Sequence, residues 1–416
     1  DLYETELIEL GEADGSGILK VTHHGETVCQ LDCSKLHDAP VREMVSKWKK
    51  KTRPSEAPEI EDSGKVLKKL LADFAIVSRE PIIREYDHEV QGNTVLKPLA
   101  GASGDAPQDA TVLRINGSDR LMAMGLSILP EWGKTDPFAM GTACVDECIR
   151  QLVAAGADPD RLAILDNFCM GNPDAEEELG ALVETVKGIA HAAEAFGAPF
   201  VSGKDSFYNY FETDEGPVSI PVTILISGMG IVEEVGHVVG ASLRRRDSLI
   251  AVIGETRSEL GGSVFARHHD KTDAEVPATD CEQAMNLYRR YYEAVKRGII
   301  LSAHDVSEGG LAVTLAEMAF SGKAGIEVDL ASLPMPDETP EAAMLFGESP
   351  SRLVVEVAPE DLEALADLFE GLPFACLGRA AAEHSNLKIT RGPETLLEEP
   401  VEELKSPWKE GLAQYY

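Results

Sequence analysis

The chain has 416 residues, of which 44% are hydrophobic, 26% charged and 6% aromatic. At roughly 100–200 residues per domain, this length indicates two or three domains, and the ordinary apolar fraction argues against a disordered chain. The 72 acidic and 38 basic residues give a formal net charge of −34. Such a charge repels a phosphate backbone and argues against nucleic-acid binding.

Short strands are predicted in the first 40 residues, with turns rich in Gly and Asp between them. They lie at Glu6–Leu10, Ile18–Thr22 and Glu26–Leu31. Three short strands are too little for a domain, so residues 1–40 are expected to be the tail of a preceding one. The absence of an initiator Met fits a piece of a longer protein. From Pro40 to about Lys69 the chain is rich in Lys, Glu and Pro, which predicts a solvated linker or a surface helix.

From about residue 80 strands and helices alternate, which is typical of an α/β or α+β fold. Asp136-Pro137 is a good helix start and Gly156 a good helix end. The predicted elements are paired strands Ala110–Ile115 and Leu121–Leu126, a helix from Pro137 to Ala155, strand Leu162–Leu165, helix Glu176–Phe196, strand Pro199–Val201 leading into a loop Ser202–Ser206, and a long β segment Val218–Val232.

A second unit of the same kind is predicted from about Ala241 onward. Its predicted elements are strand Leu249–Ile253, helix Glu282–Arg297, strand Ile299–Leu301, a helix from Gly309-Gly310 to Phe320, strands Ile326–Leu330 and Leu353–Val357, helix Pro359–Phe369 and strand Ala375–Leu377.

Cysteine usage and hydropathy favour a cytoplasmic protein. The seven cysteines are an odd number in a long chain, which fits a reducing compartment better than a disulfide framework. The longest apolar stretch, Val218–Val232, is interrupted by Pro221 and is shorter than the roughly 20 residues that a membrane span needs. The chain shows no signal-peptide pattern, and no membrane partner is expected.

The chain lacks the familiar nucleotide and metal motifs: there is no Walker A sequence, no G-x-G-x-x-G after a strand and no H-E-x-x-H. One helix nevertheless carries Glu147 and Gln151 four residues apart, so they share a face. Carboxylate and amide oxygens are ligands that Mg²⁺ accepts. The neighbouring pair Asp146 and Arg150 is better interpreted as an ion pair within the helix.

Further polar residues stand next to predicted strands. Asp109 precedes one strand and Asp305 follows another, while Asp166 and Gly203–Ser206 lie at the carboxyl ends of consecutive strands. Ligands usually bind at that edge of an α/β sheet. Taken singly, each acid is more often a helix cap or a solvated side chain than a ligand.

Five segments in one order resemble phosphoribosylformylglycinamidine synthase, a member of the AIR synthase-like superfamily. They are Tyr86–Gln91, Leu165–Pro173, Ser202–Ser206, His304–Phe320 and Gly347–Arg352. The match runs from about residue 80 to 400 and weakly covers the first 40 residues. Several ordered motifs are far more specific than any single one.

The resemblance implies an ATP-dependent ligase of purine biosynthesis. In that family ATP phosphorylates the amide oxygen of formylglycinamide ribonucleotide, and glutamine-derived ammonia displaces phosphate to give the amidine. The implied cofactors are Mg²⁺ and ATP or ADP. The implied partners are the N-terminal half of the synthase, on the same or a separate chain, a glutaminase domain or subunit, and the phosphoribosyl substrate.

Members of the family consist of two similar halves, and this chain resembles the C-terminal half. Each half has an N-terminal domain that forms a β-barrel with its pseudo-twin, followed by an α/β domain. The implied division is a tail of a preceding domain at 1–40, a linker at 41–80, an N-terminal domain that binds ATP and Mg²⁺ at 81–240, and a C-terminal domain at 241–416.

The resemblance also implies roles for single residues. The magnesium ligands would be Asp109, Glu147, Gln151 and Asp305, with Gln151 standing where the family has Asn. The nucleotide contacts would be Asp166, Gly203 and Ser307, and Ser206 would contact the substrate. Lys204 stands where smaller members hold Mg²⁺ with Asn, and we do not expect it to be a metal ligand.

The family's catalytic His and its ATP-binding Lys belong to the first half, so no catalytic residue is assigned and the chain alone is expected to be inactive. Two alternatives stay open. One is a free-standing AIR synthase-like ATP-dependent enzyme that acts as a homodimer. The other is a nucleotide-stabilised structural module for domain packing and partner docking.

Overall fold

The computed structural model describes residues 6–37, 41–53, 56–101, 103–383, 386–412 and 415. The chain divides into two compact units, Asp1–Val45 and Ser46–Tyr416. Among the helices of the described residues, none combines the length and the apolar character needed to cross a lipid bilayer.

The first unit is a β-hairpin. Strands β1 (Ile18–His23) and β2 (Glu26–Asp32) pair antiparallel, which confirms two of the three strands predicted there. Asp32 then caps a short 3₁₀ helix, Cys33–Leu36. The predicted strand Glu6–Leu10 is wrong. Leu7 and Leu10 are 95% and 96% exposed, and no strand of the described residues pairs with this segment.

The second unit carries the remaining strands and the helices. Its strands are β3 (Thr94–Leu96), β4 (Thr111–Arg114), β5 (Leu121–Ile128), β6 (Leu162–Cys169), β7 (Phe200–Ser206), β8 (Tyr210–Thr213), β9 (Gly216–Ser219), β10 (Thr223–Val232), β11 (Leu249–Ile253), β12 (Ile300–Asp305), β13 (Ala324–Asp329), β14 (Leu353–Val357), β15 (Phe374–Glu383), β16 (Asn386–Arg391) and β17 (Glu394–Pro400). Its helices are α1 (Ser63–Leu71), α2 (Glu80–Ile83), α3 (Pro130–Gly133), α4 (Pro137–Ala154), α5 (Glu176–Phe196), α6 (Val264–Arg267), α7 (Cys281–Lys296), α8 (Gly310–Gly322), α9 (Glu341–Phe346), α10 (Leu362–Leu368) and α11 (Val401–Glu410).

The first sheet of this unit has six strands in the order β3-β4-β5-β10-β6-β7. Neighbouring strands pair antiparallel except β6 and β7, which are parallel. Helix α4 packs on β5 and β10, and α5 packs on α4. Asp136 caps α4 by accepting a hydrogen bond from the Ala139 N–H, as the sequence predicts.

The other face of this sheet carries exposed apolar side chains. Met124, Leu126 and Ile128 alternate along β5 and are 39%, 57% and 40% exposed. Met124 stands directly opposite Met229 of β10, which is 36% exposed. Because opposite residues of paired strands point to the same side, these side chains form one surface, which we call the open face.

The second sheet has seven strands in the order β12-β14-β11-β15-β13-β16-β17. One face of its first three strands contributes Ala251, Ala303 and Val355 to a core shared with α4 and α7. The opposite face packs in a second core that includes α1, α8, α9 and α11. Helix α1 thus packs into the fold from within the predicted connection 41–80; the four-part domain division stays a prediction.

Two corrections concern strand lengths. Asp166 lies inside β6 rather than at its end, and the predicted loop Ser202–Ser206 is part of β7. The cause is parallel pairing, because the ladder from Ile164 opposite Phe200 to Cys169 opposite Ser206 keeps this polar stretch extended. In addition, Val218–Val232 splits into β9 and β10, and α10 begins only at Leu362, after a 3₁₀ turn.

Candidate functional site

Asp166 and Gly203 are neighbours on adjacent strands. They are directly opposite in the β6–β7 ladder, and a Cβ atom on Gly203 would stand 2.5 Å from the Asp166 Oδ1. Only a glycine therefore lets the carboxylate lie against this strand. Burial, and next the charge of Asp205, raise the pKa of Asp166 above its usual range.

Ser206 does not share this face. Side chains alternate along a strand, so Ser206, three residues after Gly203, points to the opposite side, where the Lys204 ammonium donates a hydrogen bond to its hydroxyl. The structure thus brings Asp166 and Gly203 together and turns Ser206 to the other side of the same edge strand.

A second cluster lies at the junction of the two sheets. Asp109 stands before β4, and His304 and Asp305 end β12. The His304 Nδ1 is 2.5 Å from the Asp109 Oδ1 and its Nε2 is 2.9 Å from a Glu317 carboxylate oxygen. The Asp305 N–H donates to the Asp109 Oδ2 at 3.2 Å. Of the predicted metal residues, Asp109 and Asp305 are therefore in contact.

Arg150 of α4 contributes a guanidinium to this junction. Its NH1 donates to the Asp146 Oδ2 at 2.5 Å, which confirms the predicted ion pair within the helix. Its Nε and NH2 both donate to the Asp305 Oδ2 at 3.3 Å. Asp146 also accepts hydrogen bonds from the Tyr288 hydroxyl and from the N–H and hydroxyl of Ser351. Every oxygen of Asp146 is thereby satisfied.

Glu147 and Gln151 lie on the same helix face, as predicted. The Gln151 Nε2 donates to the Glu147 Oε1 at 3.3 Å, and the Gln151 Oε1 accepts from the Leu126 N–H at 3.2 Å. Ser307 and Glu147 line one small cavity of about 10 Å³, together with Arg150, the half-buried Glu308 and the buried Glu348. This volume holds about one water molecule.

Burial and the neighbouring charges shift the pKa values of the junction side chains. Burial, the charge of Asp109 and weaker repulsion raise the pKa of Asp305 to about 7, against the lowering effect of Arg150. Burial and Glu308 raise the pKa of Glu147. Burial alone would lower the pKa of His304, but Asp109 and Glu317 raise it well above its usual value.

The junction does not fit a Mg²⁺ ion as its side chains are placed. Asp109, His304 and Asp305 offer ligand atoms within 4.8 Å of one another, but Mg²⁺ prefers oxygen ligands and keeps several waters. Here Asp109 is already paired with His304, and Asp305 with the Arg150 guanidinium. Both carboxylates are therefore engaged by groups of the protein itself.

Sequence reasoning missed His304, Glu317 and Tyr288 as members of the junction. Glu317 offered a signal, because it is the one carboxylate in the apolar helix α8. Tyr288 offered none, since an aromatic residue on a helix next to a core usually packs there without a charged partner.

Two family models match this part of the chain. The AIR synthase related protein N-terminal domain matches residues 107–232, and the C-terminal domain of the same family matches residues 245–389. The chain belongs to the AIR synthase related proteins. The α/β class and the resemblance stated from the motifs are confirmed.

Curated AIR synthase related proteins match nearly the whole chain. The phosphoribosylformylglycinamidine synthase subunit PurL of Thermococcus sibiricus is 34% identical over 392 residues, which are 93% of this chain and 52% of that protein. The PurL of Moorella thermoacetica is 33% identical over 98% of this chain and 54% of its own length. The chain spans about half the length of the curated relatives it matches.

Solved structures show the same fold. PurL of Thermotoga maritima complexed with FGAR has a TM-score of 0.62 at 17% identity, covering 82% of this chain and 53% of that one. A chain of the HypE–HypF complex has a TM-score of 0.53 at 16% identity, covering 70% of this chain and 92% of that one.

Proposed function

We propose that this chain is the C-terminal half of a phosphoribosylformylglycinamidine synthase synthetase subunit. The whole enzyme would convert formylglycinamide ribonucleotide to its amidine, with magnesium-bound ATP as a substrate and ammonia from a glutaminase partner. Catalysis of such a phosphoryl transfer is largely positioning and charge stabilisation. In this proposal the chain supplies one wall of the cleft, and the absent half supplies the reacting side chains.

The observation that carries the proposal is the open face together with the half-length match. Met124, Leu126 and Ile128 expose an apolar surface on a sheet whose opposite side is covered by α4. Apolar surface of this kind marks an interaction site. A second sheet of the same family, from the missing half, is the partner that the proposal assigns to it.

The polar edge beside the open face would contact the ligands. Asp166 and Gly203 would face the nucleotide, and Ser206 the phosphoribosyl substrate. Because β7 is the edge strand of its sheet among the described residues, its outer backbone is accessible to a ligand. The exposed Lys204 ammonium at Ser206 adds a positive charge, which suits a phosphorylated substrate.

The test is a complementation experiment. The chain and a separately produced N-terminal half of a PurL relative are mixed with formylglycinamide ribonucleotide, MgATP and ammonium chloride, and the amidine is measured by mass spectrometry. We expect turnover from the mixture and none from either part alone. Asp166→Asn in the mixture should lower turnover while leaving association of the two parts intact.

Two outcomes would overturn the proposal. A mixture that neither associates nor turns over would exclude the half-enzyme. Turnover by the chain alone, as a homodimer, would favour the second candidate, a free-standing enzyme, for which the nearly complete coverage of the chain in the HypE–HypF complex is the supporting observation.

A further inference from the structure

We propose that Arg150 is a built-in cation that takes the place of a metal ion at the junction and fastens the two domains of this half to each other without Mg²⁺. Asp305, which the family resemblance assigns to magnesium, would thus belong to an ionic joint within the protein. The inference concerns the junction alone and does not depend on the proposed reaction.

The Arg150 guanidinium bridges two carboxylates. Arg150 donates to Asp146 on its own helix and, through two N–H groups, to Asp305 at the end of β12. The helix belongs to the N-terminal family domain and the strand to the C-terminal one. A planar group with several donors bridges two carboxylates in the way a divalent ion would, and it remains charged at every physiological pH.

The three charged side chains of this bridge are buried. The side chains of Arg150, Asp146 and Asp305 are 3%, 0% and 4% exposed. Buried charges are tolerated only when they are paired and hydrogen-bonded. Asp146 meets that requirement through Arg150, Tyr288 and Ser351, so no ligand is needed to complete it.

Arg150 and His304 would compete with a metal ion for the same carboxylates. Arg150 lies three residues after Glu147 and one before Gln151, on the helix face that carries the predicted metal ligands. His304 occupies the other side, between Asp109 and Glu317. An incoming Mg²⁺ would compete with Arg150 for Asp305 and with His304 for Asp109.

The cavity beside Arg150 is small. The cavity between Glu147, Ser307 and Glu348 has a volume of about 10 Å³, enough for one water molecule. A magnesium ion that keeps part of its water shell, or a nucleotide phosphate, does not fit there.

The experiment measures metal binding to the intact chain. Wild-type protein and the variants Arg150→Ser and Asp305→Asn are freed of metal with a chelator. Mn²⁺, a spectroscopic stand-in for Mg²⁺, is then titrated and bound ion is counted by electron paramagnetic resonance. Thermal unfolding is recorded with and without Mg²⁺ and the chelator.

We expect the wild type to have the same Tm in chelator and in saturating Mg²⁺, and Mn²⁺ binding that Asp305→Asn leaves unchanged. In Arg150→Ser the vacated volume should admit an ion, so Mg²⁺ should raise its Tm by several degrees and chelator should reverse the gain.

The proposal is overturned if the wild type binds one Mn²⁺ per chain and loses it in Asp305→Asn. It is also overturned if chelator lowers the wild-type Tm by several degrees. The chelator readout uses the wild type alone, so it decides the question even where a variant fails to fold. Neither readout requires the missing half, so a failure of the proposed reaction would show separately.

Discussion

The β6–β7 edge and the domain junction hold similar residues in opposite environments. At the edge, Asp166 is only partly buried, and Ser206 and Lys204 lie on a strand that pairs on one side alone. At the junction, Asp146 and Asp305 are almost fully buried and bonded to Arg150. The comparison teaches that the role of a carboxylate near a cleft depends on whether donors of the protein already occupy its hydrogen-bonding positions.

An acid whose partners are all within the fold stabilises that fold, whereas an acid at an accessible edge is free to meet a ligand. We therefore expect substitutions at the junction to lower the free energy of unfolding strongly and to leave ligand binding unchanged. Substitutions at the edge and on the open face should hardly change the free energy of unfolding but should impair turnover or association.

The largest expected effect is that of Arg150→Met. Removing one member of a buried ion pair leaves charges without a partner and costs about 3–5 kcal/mol of unfolding free energy, measurable by urea denaturation. Arg289→Met is the matched control, because Arg289 pairs with Asp160 at the surface with both side chains more than half exposed, and such pairs contribute about 0–1 kcal/mol. Equal losses in the two variants would contradict the distinction.

The next effect is a pH dependence from Glu348. Burial raises its pKa to about 8, against the lowering effect of the N–H groups of Gly309 and Val264. A folded-state pKa above the ordinary 4.5 stabilises the fold at low pH, and that contribution is lost as pH rises from about 4.5 to about 8. The loss should be on the order of a few kcal/mol.

Glu348→Gln checks this dependence, since it keeps an oxygen that accepts the two N–H bonds but does not titrate. Its unfolding free energy should fall less than that of the wild type over the same pH range. Parallel curves for the two proteins would show that Glu348 does not hold its proton in the folded state.

A smaller stability effect is expected at the edge, from Gly203→Ala. The new Cβ would meet the Asp166 carboxylate at 2.5 Å, but the side chain can move toward solvent, so we expect a loss of about 1 kcal/mol or less. Turnover of the reassembled enzyme should fall strongly even though the fold is hardly destabilised, because the Asp166 carboxylate is displaced. Ser202→Ala, next to it on the same strand, is the control and should retain turnover.

The smallest effect on stability is expected on the open face. Leu126→Lys changes a side chain that is 57% exposed, so the unfolding free energy should stay within about 0.5 kcal/mol of the wild type. Association with the N-terminal half, followed by analytical ultracentrifugation, should be lost. Val186→Lys, an exposed apolar position on α5, should leave association unchanged, and its failure to do so would show that any added charge is disruptive.

Local signals predicted most of the second unit well. Helix α5 and strands β11 and β14 have the predicted bounds, and α4 begins at the predicted cap, because capping residues, glycine stops and apolar runs act over a few neighbouring residues. Where pairing partners decide, prediction failed. Within the part of the chain that the structure describes, no strand pairs with Glu6–Leu10, whereas Ser202–Ser206 pairs with β6 and is extended.

The sequence by itself determined the family, the alternation of strands and helices, the face shared by Glu147 and Gln151, and the ion pair of Asp146 with Arg150, since all of these depend on residue order or on neighbours four apart. Only the tertiary structure decided that Arg150 also reaches Asp305, 155 positions away, that His304 lies between Asp109 and Glu317, and that Ser206 and Asp166 face opposite sides. Such contacts depend on how two sheets and a helix pack together, and no local pattern in the chain records that packing.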